Sequence, residues 1–236
     1  MTNLEELHLE GCEKLVKLHP SIRMLKRLVV LNMRDCKRLK KFLSELETDY
    51  FQILILSGCL KVDKLPKVLG KIKTLLELHI DRTSIAELPS FVPSLTNLES
   101  LSFGQHLNNR SRWWTSCPFR LLNKQQHPQR SVMSSLAGLH MLKSLNFSYC
   151  NLVQTPDAIG GLSHLEVLNL KGNNFTSFPV SFCQLPQLYK LELDGFKKLE
   201  VFSEHPPNLY YIGACDCTSL REMLGAFNHA VMINIR

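Results

Sequence analysis

Apolar residues along this chain fall into one frame that keeps returning. Written L-x-x-L-x-L-x-x-C/N-x-L, it first fits Leu4, Leu7, Leu9, Cys12, Leu15 and Leu18, then Leu28, Leu31, Met33, Cys36, Leu39 and Phe42. A third pass takes Phe51, Leu54, Leu56, Cys59, Val62 and Leu65, and a fourth Leu75, Leu78, Ile80, Thr83, Ile85 and Leu88. The fifth opens at Leu98, Leu101 and Phe103 and then lapses; the frame resumes with Leu142, Leu145, Phe147, Cys150 and Leu152. Leu165, Leu168, Leu170, Asn173, Phe175 and Phe178 come next, then Leu188, Leu191, Leu193, Phe196, Leu199 and Phe202, and last Leu209, Ile212, Ala214, Cys217 and Leu220. Starts lie 21 to 24 residues apart, except for one gap of 44 between Leu98 and Leu142. The L-x-L pair, two residues apart, predicts a short strand, and the rest of each unit predicts a turn and an irregular or helical return. A unit this small cannot bury its apolar edge alone, so units must stack.

The expected fold is an α/β repeat solenoid: a leucine-rich-repeat horseshoe with short parallel strands on its concave face. It divides the chain into repeats over 1–104, an insertion over 105–131, further repeats over 132–224 and a tail over 225–236. The C/N position forms a structural ladder of Cys12, Cys36, Cys59, Thr83, Cys150, Asn173 and Cys217, where the chain turns inward after each strand. A small, mostly apolar side chain with a weak S–H donor suits that place, so these thiols are expected to be packed and inert.

Strand positions pointing away from the core are the informative surface. They include Glu6, His8 and Glu10; Val30, Asn32 and Arg34; Ile53, Ile55 and Ser57; Glu77, His79 and Asp81. Further on come Ser144, Asn146 and Ser148; Val167, Asn169 and Lys171; Lys190, Glu192 and Asp194. Ile53, Ile55, His79, Asp81, Lys171, Glu192 and Asp194 are the candidate partner-binding residues of this face. Ile53 and Ile55 form either a contact patch or a pair hidden by lateral packing. Two further candidates, Trp113 and Trp114, lie in the insertion beside Arg110, Arg112 and Arg120, a composition suited to interface anchors.

Composition adds exclusions. The net charge is +7, yet acids outnumber bases at the concave positions, so the positive charge falls on return segments such as RDCKRLKK (34–41) and on the insertion. A concave nucleic-acid groove is disfavoured, because phosphate contact needs Lys and Arg along the tracked surface. The start lacks a signal-peptide pattern and the longest apolar runs are far too short to span a bilayer, so the cytoplasm is expected, with the nucleus as a second location, and no membrane partner. No phosphate-binding loop, H-E-x-x-H or G-x-S-x-G occurs. His205, Cys215, Cys217 and His229 match no standard zinc spacing, so no metal, catalytic residue or cofactor is expected.

The phrases LILSGC (54–59), LHIDRTSIAELP (78–89), SLNFSYCNL (144–152), GGLSHLEVLNLKGNNFTSFP (160–179) and PPNLYYIGACDCTSL (206–220) carry a resemblance. They are similar to the C-terminal leucine-rich-repeat region of plant TIR–nucleotide-binding–leucine-rich-repeat disease resistance proteins, of the tobacco mosaic virus resistance kind. The resemblance implies a non-catalytic recognition module that senses a pathogen effector or a host protein and restrains a nucleotide-binding switch. Residues 1–236 hold no TIR or nucleotide-binding segment, so neither nucleotide binding nor NAD cleavage carries over. The first repeat opens with its apolar edge uncapped, which gives the expectation of a fragment, a truncated product or a chain that docks another protein there. Two alternatives stand beside the recognition module: a stand-alone adaptor or decoy scaffold, and an enzyme with a metal or thiol site.

Overall fold

The computed structural model describes residues 3–41, 46–105, 136, 138–154, 157–202, 204–223 and 232–234. Every repeat contributes one three-residue strand: β1 (Glu6–His8), β2 (Val30–Asn32), β3 (Ile53–Ile55), β4 (Glu77–His79) and β5 (Ser100–Ser102). After these come β6 (Ser144–Asn146), β7 (Val167–Asn169), β8 (Lys190–Glu192), the short β9 (Val201–Phe202) and β10 (Tyr211–Gly213). The last two are β11 (Glu222–Met223) and β12 (Met232–Asn234). All but β9 and β11 form one parallel sheet of ten strands laid down in chain order, while β9 and β11 pair separately. The horseshoe architecture expected from the frame is therefore the architecture found.

Register is set by the leucines. From β2 to β8 and in β10 the middle residue of the strand faces the core and meets its counterpart in the next coil: Leu31 opposite Leu54, Leu54 opposite Leu78, Leu145 opposite Leu168. Leu31, Leu54, Leu78, Leu145, Leu168 and Leu191 are fully buried. The parallel pairing runs two residues beyond each strand. The Met33 N–H donates to the Ile55 carbonyl at 2.9 Å and the Asp35 N–H to the Ser57 carbonyl at 2.8 Å, and later coils repeat both bonds.

The turn after each strand is the same throughout. The residue just before the ladder position takes a positive φ in eight coils: Gly11, Asp35, Gly58, Arg82, Tyr149, Gly172, Gly195 and Asp216. Glycine adopts that conformation freely, and any other L-residue there costs roughly 1 kcal/mol. At Gly58 and Gly172 a second reason applies. A Cβ on Gly58 would lie 2.0 Å from an Asp35 carboxylate oxygen, and one on Gly172 would lie 2.1 Å from the Tyr149 ring.

Ladder side chains then tie each coil to the one before it. The Cys36 thiol donates to the Leu9 carbonyl at 3.1 Å, Cys59 to Met33 at 3.0 Å and Cys217 to Leu193 at 3.2 Å. Asn173 does more: its amide donates to the Phe147 and Leu170 carbonyls at 2.8 and 2.7 Å and accepts the Leu152 N–H at 2.9 Å. Thr83 instead bonds back within its own coil, to the Ile80 carbonyl at 2.9 Å. Cys36, Cys59 and Cys150 are buried, whereas Cys217 is half-buried and Cys12 is exposed. The expectation of packed, inert thiols thus needs correction at Cys12, because among the described residues no coil lies on its outer side.

Returns are built by proline. In Leu65-Pro66 and Phe178-Pro179 the apolar residue closes the core and the proline, with its preset φ, caps a short 3-10 turn. After Leu88-Pro89 the 3-10 turn begins at Val92, whose N–H bonds the Pro89 carbonyl at 2.9 Å. Such turns span Pro20–Met24, Lys67–Lys71, Val92–Ser94, Asp157–Gly161 and Val180–Gln184. Towards the C-terminal coils the returns pack phenylalanines against each other, with the Phe178 ring 4.5 Å from Phe182 and 5.7 Å from Phe202.

The 44-residue gap does not interrupt the sheet. β5 pairs directly with β6, Leu101 opposite Leu145, so the insertion leaves and rejoins between two adjacent coils. Trp113, Trp114 and the second-repeat Phe42 lie outside the described residues. The sequence frame ended at Leu220; the structure adds β12, which pairs Ile233 with Ile212 as a tenth coil.

Burial pushes the Cys36 and Cys217 thiols up and the Cys59 thiol up to about 12. Brief alkylation of the native chain at mildly alkaline pH is therefore expected to label Cys12 and leave Cys36, Cys59 and Cys150 intact, as read by peptide mass spectrometry. Replacing Asn173 with Ala orphans one buried donor and two buried acceptors, and is expected to cost about 3 kcal/mol in a urea titration. Thr83→Ala, which loses the bond to the Ile80 carbonyl and a longer one accepted from the Ile85 N–H at 3.4 Å, is expected to cost about 1 to 2 kcal/mol.

Candidate functional site on the concave face

With the core-facing residue fixed at the centre of each strand, its two neighbours must face the concave side. Ile53 and Ile55 accordingly flank buried Leu54 and are half-buried. In register with Ile53 stand Val30 on one side and Glu77 on the other, so lateral packing covers part of the patch and leaves part open. His79, at the end of β4, bonds the Glu77 carboxylate at 3.0 Å. The same Glu-Leu-His triplet recurs in β1, where His8 meets Glu6 at 3.0 Å.

Asp81, two residues past β4, is the hub of the face. One carboxylate oxygen accepts the Ser57 hydroxyl at 2.9 Å. The other accepts the Gly104 N–H at 2.9 Å, the Asn146 amide at 3.1 Å and the Ser102 hydroxyl. Asn146 donates further to Ser102 at 2.9 Å and accepts the Ser148 N–H at 3.0 Å. Four coils are thereby joined through one carboxylate. Around it opens a groove of about 490 Å³, lined also by Arg34, Ile55, His79, Arg82 and Gln105.

One edge of that groove holds an ion pair that skips a coil. Arg82 meets Asp35 at 3.0 Å across Gly58, whose missing side chain leaves the path clear. Arg34 lies more loosely beside the same carboxylate, at 3.8 Å, and beside Glu10 at 3.7 Å. Both partners of the Asp35–Arg82 pair are about a third exposed, so its net worth is roughly 1 kcal/mol or less. Positioning the guanidinium is the larger effect.

A second cluster occupies the C-terminal coils. Lys171 sits between Glu192 and Asp194, 2.9 Å from each, and Lys190 reaches Glu192 at 3.1 Å. Burial alone would lower the Lys171 pKa, but the hydrogen bonds its ammonium donates to Asp194 and Glu192, with their negative charge, outweigh it and hold the ammonium well above the ordinary lysine range. With the folded pKa raised, this contribution to stability is complete below the ordinary lysine pKa and fades as pH climbs through the folded one. Asp194 also accepts the Cys215 N–H at 2.9 Å, and Lys190 lies 5.2 Å over the Tyr211 ring.

The structure therefore sorts the concave candidates into two sets: Ile55, His79 and Asp81 in the groove, with Ile53 beside it, and Lys171, Glu192 and Asp194 in a separate ionic cluster. Arg82, Gly104 and Gln105 line the groove without having been singled out from the sequence. Arg82 could have been found from its place: it precedes ladder residue Thr83, where the other coils put glycine, aspartate or tyrosine.

A family model described as leucine rich repeat matches residues 140–195. The chain is a leucine-rich-repeat solenoid. It is 35% identical over 224 residues to disease resistance-like protein DSC1 of Arabidopsis thaliana, a match covering 94% of this chain and 17% of that protein. With TMV resistance protein N of Nicotiana glutinosa it shares 27% identity over 265 residues, covering 89% of this chain and 23% of that one. The resemblance read from the motifs is thus to plant disease resistance proteins along most of the solenoid, which spans less than a quarter of the length of either relative. Among solved structures, the Arabidopsis receptor kinase HAESA, in complex with the peptide hormone IDA and the co-receptor SERK1, superposes with a TM-score of 0.57 at 19% identity. That match covers 93% of this chain and 41% of HAESA and shows the fold alone. Among the described residues no helix is long and apolar enough to cross a membrane.

Gly58→Ala tests the coil-skipping pair. Both its positive φ and the 2.0 Å clash oppose a methyl group, whereas Gly11→Ala faces a positive φ with nothing within 4 Å. Chemical denaturation is expected to show a loss of about 1 kcal/mol for Gly11→Ala and about 2 to 3 kcal/mol for Gly58→Ala.

Proposed function

We propose that the concave face is the protein-recognition surface of an intracellular plant defence receptor, and that it works without catalysis. One observation supports the reading above the others: the polar side chains around Asp81 are locked to each other before any partner arrives. A partner meeting that face loses little side-chain entropy in fixing it, which is what a specific recognition surface requires. Ile55 and His79 supply half-buried apolar and aromatic contact beside the polar hub, with Ile53 adjoining. The cluster of Lys171, Glu192 and Asp194 offers a second, internally neutralised contact, and Trp113 and Trp114 in the insertion a third.

In this reading the partner is a pathogen effector or a host protein, and in a complete receptor the solenoid holds a nucleotide-binding switch off until the partner binds. The Arabidopsis and Nicotiana relatives, both resistance proteins by name, support the defence role. Calorimetric titration of the chain with effector proteins, and with the nucleotide-binding region of a related receptor, tests the assignment. The double variant Ile55→Ala, His79→Ala is expected to keep its melting temperature within a few degrees and to weaken binding by about tenfold or more. Equal affinity for the wild type and that variant would remove the concave groove from the binding surface.

A further inference from the structure

Residues 11–73 hold fifteen Lys and Arg against six acids, an excess larger than the +7 of the whole chain. On the flank that descends from the first three strands this excess is ordered. In each coil the turn after the ladder residue closes the same way: Leu15 N–H to Cys12 carbonyl, Leu39 to Cys36 and Val62 to Cys59, each at 3.0 Å. The residue inside that turn is Lys14, Arg38 or Lys61, and three residues further on stands Lys17, Lys41 or Lys64. A backbone bridge between Lys17 and Lys41 places those two side by side. The result is two series of three cations, all six exposed, that recur at the same place in successive coils, coils whose strands lie about 4.8 Å apart. In the fourth, sixth and seventh coils the turn is one residue shorter and buried Ile85, Leu152 and Phe175 follow directly, so the exposed position is missing; it returns with Lys198 in the eighth coil, alone.

The pairing pattern sets this grid apart from ordinary surface charge. Lys37, next to it, is tied to Glu13 at 2.5 Å. Among the described residues, Lys14, Lys17, Arg38, Lys41 and Lys64 have no carboxylate within ion-pair distance. Three chemistries could answer such a surface. Protein interfaces deplete lysine and favour arginine, whose planar fork grips carboxylates; this grid has five lysines to one arginine. Single-stranded nucleic acid is held by aromatic rings as well as cations, and segments 12–18, 36–41 and 59–65 contain no aromatic residue. An exposed cluster of flexible, mostly ammonium groups suits a diffuse negative layer, and clusters of about four to eight Lys or Arg are the kind that anionic lipid attracts.

We propose that the lysine grid on the descending flank of coils one to three is a reversible docking surface for a membrane bearing phosphatidylserine. It revises the expectation, drawn from the lack of a spanning segment, that the chain has no membrane partner. No span is needed, because each surface lysine contributes through the lipid layer's own potential and the contact dissolves as salt screens it. A polybasic patch alone gives a loose, exchanging attachment, which leaves the concave face open to its own partner.

Co-sedimentation of the whole chain with vesicles tests this. Pelleting is expected with phosphatidylcholine–phosphatidylserine vesicles at low salt, weakening steeply at high salt, and not with phosphatidylcholine alone. Each of Lys14→Gln, Lys17→Gln, Lys41→Gln and Lys64→Gln is expected to weaken binding about fivefold, and the four together by several hundredfold, on the order of the product. The single variants carry the test should the quadruple one melt early. Lys197→Gln with Lys198→Gln, exposed on a distant coil, is expected to leave binding unchanged. Equal pelleting with both vesicle types, or a quadruple variant that binds like the wild type, overturns the proposal. Capture of poly-uridine or poly-glutamate in place of the vesicles overturns it too, and assigns the grid to nucleic acid or to an acidic protein.

Discussion

One backbone conformation recurs at the residue before each ladder position, and the solenoid is built on it. With φ positive there, the chain leaves the strand at a sharp angle and drops the ladder side chain inward. Only from that place can a small group such as the Cys59 thiol reach the carbonyl of the preceding coil. The parallel ladder keeps all coils in register because each one turns at the same residue. Asp35, Arg82, Tyr149 and Asp216 adopt the turn at a conformational cost that glycine avoids. Asp35 and Arg82 offset part of theirs by pairing with each other.

The same constraint shapes the concave face. Since the turn fixes where each strand ends, residues two past the strand, such as Asp81 and Asp194, always hang over the next coil. Asp81 finds a backbone N–H from Gly104 there and Asp194 one from Cys215. The two acids therefore play the same local part, and their surroundings make them differ. Asp81 is surrounded by neutral donors and becomes a hub that leaves a groove beside it. Asp194 meets Lys171 and closes into an ionic cluster. Groove and cluster are two outcomes of one position, decided by whether the adjoining coils supply serine and asparagine or lysine.

Much of this was legible in the sequence, for a physical reason. Burial repeats every 21 to 24 residues, so the inward leucines gave strand positions, register and the concave residue list without any knowledge of distances. Three things were not legible. The resumption of the sheet across the insertion needed the pairing of β5 with β6, since a gap of 44 residues could equally have ended one stack and begun another. The tenth strand lacked the leucine frame: Met232, Ile233 and Asn234 show no L-x-L pair. The exposure of Cys12 depended on what lies beside its coil, which no motif within the coil reports. At the site, one-coil periodicity pointed to His79 and Asp81 but not to Arg82. That residue matters through Asp35, 47 positions earlier and two coils away.

Repeat proteins are commonly treated as chains in which each unit feels only its neighbours, and their unfolding as fraying from either end. The bond across Gly58 breaks that rule. So does the Asn146 amide on Asp81, which also passes over an intervening coil. Coils two to six are thereby coupled at second-neighbour range, from Asp35 through Ser57 and Asp81 to Asn146. Loss of one coil in this stretch strands a charged or amide group belonging to a coil two steps away. The central segment of the solenoid should behave as a single stiff block with frayable coils at either side, its bending resisted where the groove must keep its shape.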